Sequence, residues 1–600
     1  MGDFSEEDSF RNSEVDVYAE EFEEYAAADT KNFYHKLSEL WLSESSFTEY
    51  MVKAEIKIKE ENQRLSAIFI SASLQKLMRI IDDQLLAKNQ KRLLEMSGSG
   101  VDVLIHDEKL EDLSRLFRLM SRISQGLDPI AQMFQDYISR VGRDIFKRHV
   151  DEAAQKKDYT MFLHFLLESY VVELIQFHNK MDTLVTGPFQ NNATFHKALS
   201  NGFKSFVNLG FRKPKKRDDK GPEVKTAQLF AYYCDEILRK RKAESLDDAL
   251  EKVVNFVQFF SDKDIFIEEY RKQLAKRLLV SGYQDSEERS MIGKLKWFYR
   301  GVGDLYKLEK MLTDKSVAVD MKQEFNVFLE KREPNEPTVN FDLMVTVLTT
   351  GTWPINLKDT LKVLPVFINA QQVFKEFYDT KHNRRVLHWA YGRSTVQLEA
   401  HFSKKKVLET STYQACVLLL FNDAPELSVK QIMAETGLDL EVVKRTLVSM
   451  STKKFHLVRI KKTSDEDTVM IEGDSTTQDK LLVANAEVVD ESTLLEVNQD
   501  FQHKQTKIKL PVPRVTEEES KKTIVNVNND RVWTLEATIV RVMKTRKTMK
   551  LQQLIQEVIT QIKDRFQPDL RNIKTRVESL IDRDYIKRVE GDPSTLEYVA

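Results

Sequence analysis

The chain has 600 residues, and 91 Lys and Arg against 94 Asp and Glu leave a formal net charge of −3. That length calls for several domains, and the near-neutral balance excludes a protein devoted to wrapping nucleic acid. With 18 glycines, 13 prolines and 41% apolar residues the chain reads as mainly helical, and two cysteines, Cys234 and Cys416, exclude a disulfide framework or a cysteine-rich zinc module.

Residues 1–30 hold eleven acids and one base, Arg11, and predict a solvated acidic tail. Residues 31–125 and 126–210 predict two helical repeats of a stalk, with breaks at Ser97–Gly100, Gln125–Gly126 and Gly187–Pro188. In Tyr159–His178 the set Met161, Phe162, Phe165, Leu166, Tyr170, Val171 and Leu174 recurs every three to four residues, the mark of a helix burying one face. No stretch approaches about 18 apolar residues, so no membrane span is expected. The acidic start has no leader-like apolar core. A cytoplasmic and nuclear protein is expected.

Residues 211–222 predict a basic linker, whose cluster Lys213–Arg217 reads either as a nuclear import signal or as a solvated loop. Helix resumes as a bundle over 223–340. Residues 341–410 and 461–515 predict a small α/β sheet region. Val396, Leu398, Ala400 and Phe402 alternate with polar residues as a half-buried strand does. Val469–Ile471, Leu494–Val497 and Ile508–Val512 are further short strands. Segments 411–460 and 530–600, the second after a linker at 516–529, share a plan of helix, turn, helix and β-rich tail. In the first, Gly437 makes the turn before helix Leu440–Met450, and strands follow at Phe455–Ile460. In the second, Pro568 precedes helix Asn572–Ile581, and strands follow at Tyr585–Val599. This is winged-helix grammar.

Catalytic motifs are missing: there is no His-Glu-x-x-His, P-loop or nucleophile elbow. Gly301-Val-Gly303 and Gly98-Ser-Gly100 read as turns. Cys416 lies in the apolar stretch Tyr413–Phe421, which suits a buried structural cysteine better than a catalytic thiol. Eleven histidines show no metal-ligand spacing, and no catalytic residue, metal site or cofactor is predicted. The stretch Asn572–Asp584 mixes Lys574, Arg576 and Arg583 with Glu578, Asp582 and Asp584, an argument against reading a DNA groove.

Several ordered stretches carry a family likeness. They are Asp262–Leu278; Val345-Thr-Val-Leu-Thr-Thr-Gly-Thr-Trp-Pro354; Phe377-Tyr378 followed by His382, Arg385, Leu387 and Trp389; Asp500-Phe-Gln-His-Lys with Lys507-Ile-Lys509; and Asp530-Arg531 followed by Ile539-Val-Arg-Val-Met-Lys-Thr-Arg-Lys547. Phe33-Tyr34, Tyr50–Glu55 and the final Tyr598-Val-Ala600 add to them. Over roughly residues 20 to 600 the chain resembles the cullins.

The resemblance implies a mainly α fold: a stalk of helical cullin repeats, then a globular cullin-homology region with a four-helix bundle, a small α/β sheet domain and two winged helices. It implies a scaffold that holds a small zinc-binding RING-box protein and, through it, a ubiquitin-conjugating enzyme. It also implies a substrate adaptor and a cullin-associated exchange factor. The zinc and the thioester cysteine would belong to these partners, and the scaffold's contribution would be positioning. No membrane or specific nucleic acid is implied.

Lys544 matches the family's attachment point for a Nedd8-type modifier. On a helix, Val532, Leu535, Ile539, Val542 and Met543 form one stripe, and Lys544 lies off its centre among Arg541, Arg546 and Lys547. An ordinary solvated lysine is the alternative. Lys272, Lys276 and Arg277 read either as a solvated face or as a landing surface for an acidic segment of the conjugating enzyme. Leu387, Trp389, Val396, Leu398, Ala400 and Phe402 mark the region where a cullin takes up a strand of its RING protein; a plain sheet member is the other reading.

Three departures stand out. The room before residue 223 fits about two repeats where the family has three. The missing one is the first, which carries the adaptor site, so either adaptor binding is altered or lost, or the sequence is incomplete. Lys296-Trp-Phe-Tyr-Arg-Gly301 replaces a Cys-Gly-containing stretch. Asn383-Arg384 and Val386 replace Gly and Lys. A divergent cullin-like interaction protein and a winged-helix nucleic-acid binder are the alternative functions.

Overall fold

The computed structural model describes residues 22–599 apart from 97–99, 157–158, 213–222, 241–245, 280–284, 300–301, 334–336, 356–360, 403, 453–454, 461–489, 500 and 512–516. The chain divides into two compact units. One comprises Met1–Phe266, Trp297–Arg300 and Asn528–Ala600; the other comprises Ile267–Lys296 and Gly301–Val527.

In the first unit, helices begin earlier than the acidic composition suggested. Helix Glu24–Glu44 takes in the end of the expected tail. Ala26, Ala27 and Ala28 favour helix, Phe22 stacks on Phe69 at 5.7 Å, and Glu23 pairs with Lys76 at 2.9 Å. Ser46 and Glu49 close a capping box that starts helix Phe47–Ser66. Further along, helices Leu127–Ala154 and Ala193–Val207 approach closely where glycines leave room. A Cβ on Gly142 would lie 2.1 Å from the Phe206 ring, and one on Gly202 2.8 Å from Ile138.

The expectation that no stretch is apolar enough for a membrane needs correction. The helical run Tyr159–Thr186 passes by length and composition. Its apolar residues Phe162, Leu166, Tyr170, Val171 and Leu174 are buried inside the unit, as in the core helix of a repeat, while Met161 is exposed. The linker at 211–222 also starts too early: Gly210–Arg212 pairs antiparallel with Glu223–Lys225. Lys213–Arg217 lies outside the described residues.

His178 is buried among the rings of Phe203, Phe256 and Phe259. Burial pushes its pKa down, against Asp182 and Asn179, which act upward. A histidine depressed in the folded state contributes stability that is present above its unfolded value, about 6.5. That stability is lost as pH falls through the folded value. Denaturation midpoints followed from neutral to mildly acidic pH should therefore fall, and His178→Phe should flatten the fall. Equal slopes would remove His178 as the cause.

The first unit also holds the terminal winged helix. Its strands run in the order Thr548–Lys550, Asp592–Tyr598, Ile586–Val589, all antiparallel. Its helices are Leu551–Ile562, Leu570–Asp582 and the end of Glu517–Arg546. The linker expected at 516–529 is helix instead: from Glu517 onward the chain is helical. Glu and Lys are good helix formers, and a polar stretch lacking apolar periodicity reads as a linker although its propensity favours helix.

In the second unit, helix Val302–Glu330 contains Gly303, which corrects its reading as a turn; Gly301 lies outside the described residues. Strand Lys405–Ser411 lies between Thr395–His401, antiparallel to it, and Lys507–Lys509, parallel to it. Thr395–His401 stops before Phe402, which packs on the core beyond the strand end. The first winged helix has helices Thr412–Leu420, Val429–Thr436 and Leu440–Met450. Ser411 and Ser428 close capping boxes with Gln414 and Gln431, and Gly437 ends its helix at φ +67°. Cys416 is buried in the core, with its thiol pushed up to about 11 by burial. Strand Leu494–Val497, expected in the α/β sheet, instead joins Glu426–Ser428 and Val458–Ile460 in this winged helix. Val469–Ile471 lies outside the described residues.

Candidate functional site

Lys544 stands exposed in the last turn of helix Glu517–Arg546. The stripe behind it holds it in place: Leu535, Ile539, Val542 and Met543 are buried against Leu554, Val558, Ile573 and Leu596. The helix ends firmly. Lys547 takes φ +67° and its N–H donates to the Met543 carbonyl at 2.8 Å. The Tyr598 N–H then donates to the Lys547 carbonyl, also at 2.8 Å. Neighbouring cations are engaged, Arg541 with Gln561 at 2.8 Å and Arg546 with Glu557 at 3.4 Å.

At the other end of the terminal winged helix lies a clasp that sequence reading left without a role. Arg531 donates from Nε and Nη2 to the two Asp264 oxygens, each at 2.6 Å, and pairs with Asp262 at 2.8 Å. Its guanidinium lies over the Phe566 ring. The Asp264 N–H donates to the Arg565 carbonyl at 3.3 Å, and Lys225 pairs with Asp262. Burial pushes the Asp264 carboxyl up in spite of Arg531. At Asp262 the charges of Arg531 and Lys225 outweigh burial and hold the carboxyl low. Asp262, Asp264 and Arg531 stand in the quoted family stretches, while Lys225, Arg565 and Phe566 do not; what the sequence could not show is that positions 267 apart meet.

The six residues assigned to a RING strand separate into two places in the second unit. Leu387 and Trp389 pack on an aromatic platform of Phe325, Phe374, Phe377 and Tyr378, with Val339, Leu343, Val345 and Val347 beside them. Both stretches alternate locally: Met344 is exposed between Leu343 and Val345, and His388 is exposed between Leu387 and Trp389, all four of which face the platform; Val386 is exposed too. They therefore run like strands. Yet among the described residues no backbone–backbone hydrogen bond joins 339–347 or 383–389 to anything. Arg384 turns the chain between helix Pro365–Lys381 and Leu387 at φ +78°.

Val396, Leu398 and Ala400 sit instead on the edge strand Thr395–His401. The Thr412 N–H donates to the Ser394 carbonyl. By antiparallel alternation the peptide groups of Val396, Leu398 and Ala400 then face Lys405–Ser411, and those of Gln397 and Glu399 face outward.

Arg277 has to be withdrawn from the basic patch. It is buried, donating to both Glu288 oxygens at 2.6 and 2.9 Å beneath Tyr270, whose hydroxyl donates to the same carboxylate at 2.7 Å. Lys272 and Lys276 are half-buried and engaged. The Thr-Gly-Thr-Trp loop is fixed by Asp314, which accepts from the Thr349 N–H and hydroxyl and from Trp353 Nε1 at 2.8–3.0 Å. Gly351 at φ +79° lets that loop turn.

Comparison with known proteins accords with this architecture. Residues 3–322 match the cullin alpha solenoid domain, 347–501 the cullin alpha+beta domain and 530–592 the cullin protein neddylation domain. Cullin-1 of Oryza sativa subsp. japonica is 36% identical over 594 residues, covering 98% of this chain and 75% of that protein. Cullin-2 of Arabidopsis thaliana is 34% identical over 596 residues, with the same shares. Cullin-4A of Homo sapiens is 29% identical over 596 residues, 98% of this chain and 71% of that protein. The chain belongs to the cullin family. It is a scaffold subunit of a cullin-RING ubiquitin ligase, and Lys544 falls inside its neddylation domain. In general terms that membership implies RING-box, conjugating-enzyme and Nedd8-type partners.

Proposed function

We propose that this scaffold supplies no catalytic group of its own and works by position. A RING-box protein adds a strand to the unpaired segments around Val345 and Leu387–Trp389, and so brings a ubiquitin-conjugating enzyme to the complex. Lys544 is the acceptor of the Nedd8-type modifier, and Lys272 and Lys276 contribute positive charge toward the conjugating enzyme. A substrate adaptor and an exchange factor complete the assembly, which works in cytoplasm and nucleus.

One observation carries the RING seat: two strand-like segments share a platform and have no ladder partner among the described residues. Extended backbone seeks such a partner, and β-augmentation provides it. Val386→Pro removes one N–H from an exposed position without touching the platform. It should weaken RING capture at least about tenfold, which corresponds to the loss of about 1.4 kcal/mol, and leave the helical content unchanged. Gln397→Pro, which removes an outward donor of the sheet edge, should leave capture intact. The reverse pattern would move the seat to Thr395–His401.

A further inference from the structure

The end of the acceptor helix carries five cations within ten residues: Arg541, Lys544, Arg546, Lys547 and Lys550. Three of them are lysines, any of which offers an amine to a modifier. Their surroundings differ. Lys547 Nζ lies 5.4 Å from the centroid of the Tyr598 ring, on the strand whose N–H also holds the Lys547 carbonyl. Lys550 sits in the strand paired with Thr595, where its charge acts on Asp592. That carboxyl is held low chiefly by the hydroxyls of Ser594 and Thr595, with Lys550 a smaller influence. Arg541 and Arg546 have Gln561 and Glu557. Lys544 makes no hydrogen bond, ion pair or ring contact among the described residues.

We infer that the C-terminal strand Asp592–Tyr598 selects the acceptor, and that Tyr598 is its specificity-determining residue. This rests on the reading of Lys544 as acceptor. In the transfer step the lysine amine attacks the thioester carbonyl of the modifier carried by its conjugating enzyme. A C–N bond forms, the C–S bond breaks, and the thiol leaves with the proton that the amine gives up. An amine must be free to swing toward that carbonyl. Lys547, turned out of the helix by its positive φ and held on a ring face, gives up a cation–π contact to do so. Lys550 gives up its charge interaction with Asp592. Lys544 gives up nothing. Tyr598 therefore removes the nearest competitor, and the same strand removes the next.

The test uses the full chain with its RING partner, and replaces Tyr598 by Leu, which keeps an apolar body without a π face, or by Phe, which keeps the ring. First, brief treatment with an amine-acylating reagent is mapped by mass spectrometry. Lys544 should react before Lys547, and Tyr598→Leu should raise the Lys547 rate about two- to fivefold, the range a surface cation–π contact allows; Tyr598→Phe should not. Second, the modifier is loaded enzymatically. It should appear on Lys544 alone in the natural chain and on both Lys544 and Lys547 in Tyr598→Leu. Lys544→Arg combined with Tyr598→Leu should recover modification at Lys547. Modifier on Lys544 with an unchanged distribution in Tyr598→Leu would overturn the inference and leave Lys544 as acceptor. No modifier on the natural chain would overturn both.

Discussion

Arg531→Met should cost about 3–5 kcal/mol in the packing of residues 528–600, the penalty of breaking a buried pair while its partners stay charged. The substitution keeps an unbranched side chain but removes the guanidinium that lies over the Phe566 ring, and leaves Asp262 and Asp264 with Lys225 as the remaining cation. Asp264 is the more deeply buried of the two and loses both bonds that Arg531 makes to it. Arg531→Lys, which retains charge without the two-pronged geometry, should fall in between. Hydrogen exchange reads this directly: amides of the terminal winged helix should lose protection while those of helices Leu127–Ala154 and Ala193–Val207 keep theirs. Natural protection throughout 528–600 in Arg531→Met would mean that the clasp is a bystander.

Lys544→Arg should abolish the modified, slower-migrating form and change nothing else. Charge and helix propensity are kept, the site is exposed, and no described contact is lost. Thermal stability should stay within about 0.5 kcal/mol of the natural chain, as for a surface change away from special features. RING capture should be unaffected. In the unmodified protein the winged helix is held through Arg531 to Asp264 and Asp262. A folded modifier on Lys544 adds bulk beside that arrangement and shifts the population of any alternative that accommodates it better. Full modification with no gain in ligase activity would remove the switch while leaving the acceptor.

Where local chemistry decides an element, the residues were readable in order. Helix Leu440–Met450 follows Gly437, and the exposed position of Lys544 follows from the 3.6-residue stripe of Leu535, Ile539, Val542 and Met543. Charge alone misled. Arg277 looks like its neighbours Lys272 and Lys276 in sequence, but it points inward to Glu288, eleven residues on in helix Asp285–Phe298. The polar run before Asn528 carried no apolar period, yet it is helix. Strand Leu494–Val497 is legible as a strand but its sheet is not, because partners so distant in the chain leave no local trace. Leu387 and Leu398 are near in the chain, which in sequence suggests one site. The structure gives them separate cores, and only the first has strand-like neighbours that lack partners.

A scaffold that works by position brings catalytic partners together and does no chemistry itself. The most direct measurement is ubiquitin-chain formation by the purified chain with activating and conjugating enzymes, run with and without a RING-box protein. No transfer above the enzyme background is expected without the RING protein, a rise when it is added, and loss of that rise in Val386→Pro. Robust chain formation by the chain without any RING protein would contradict it.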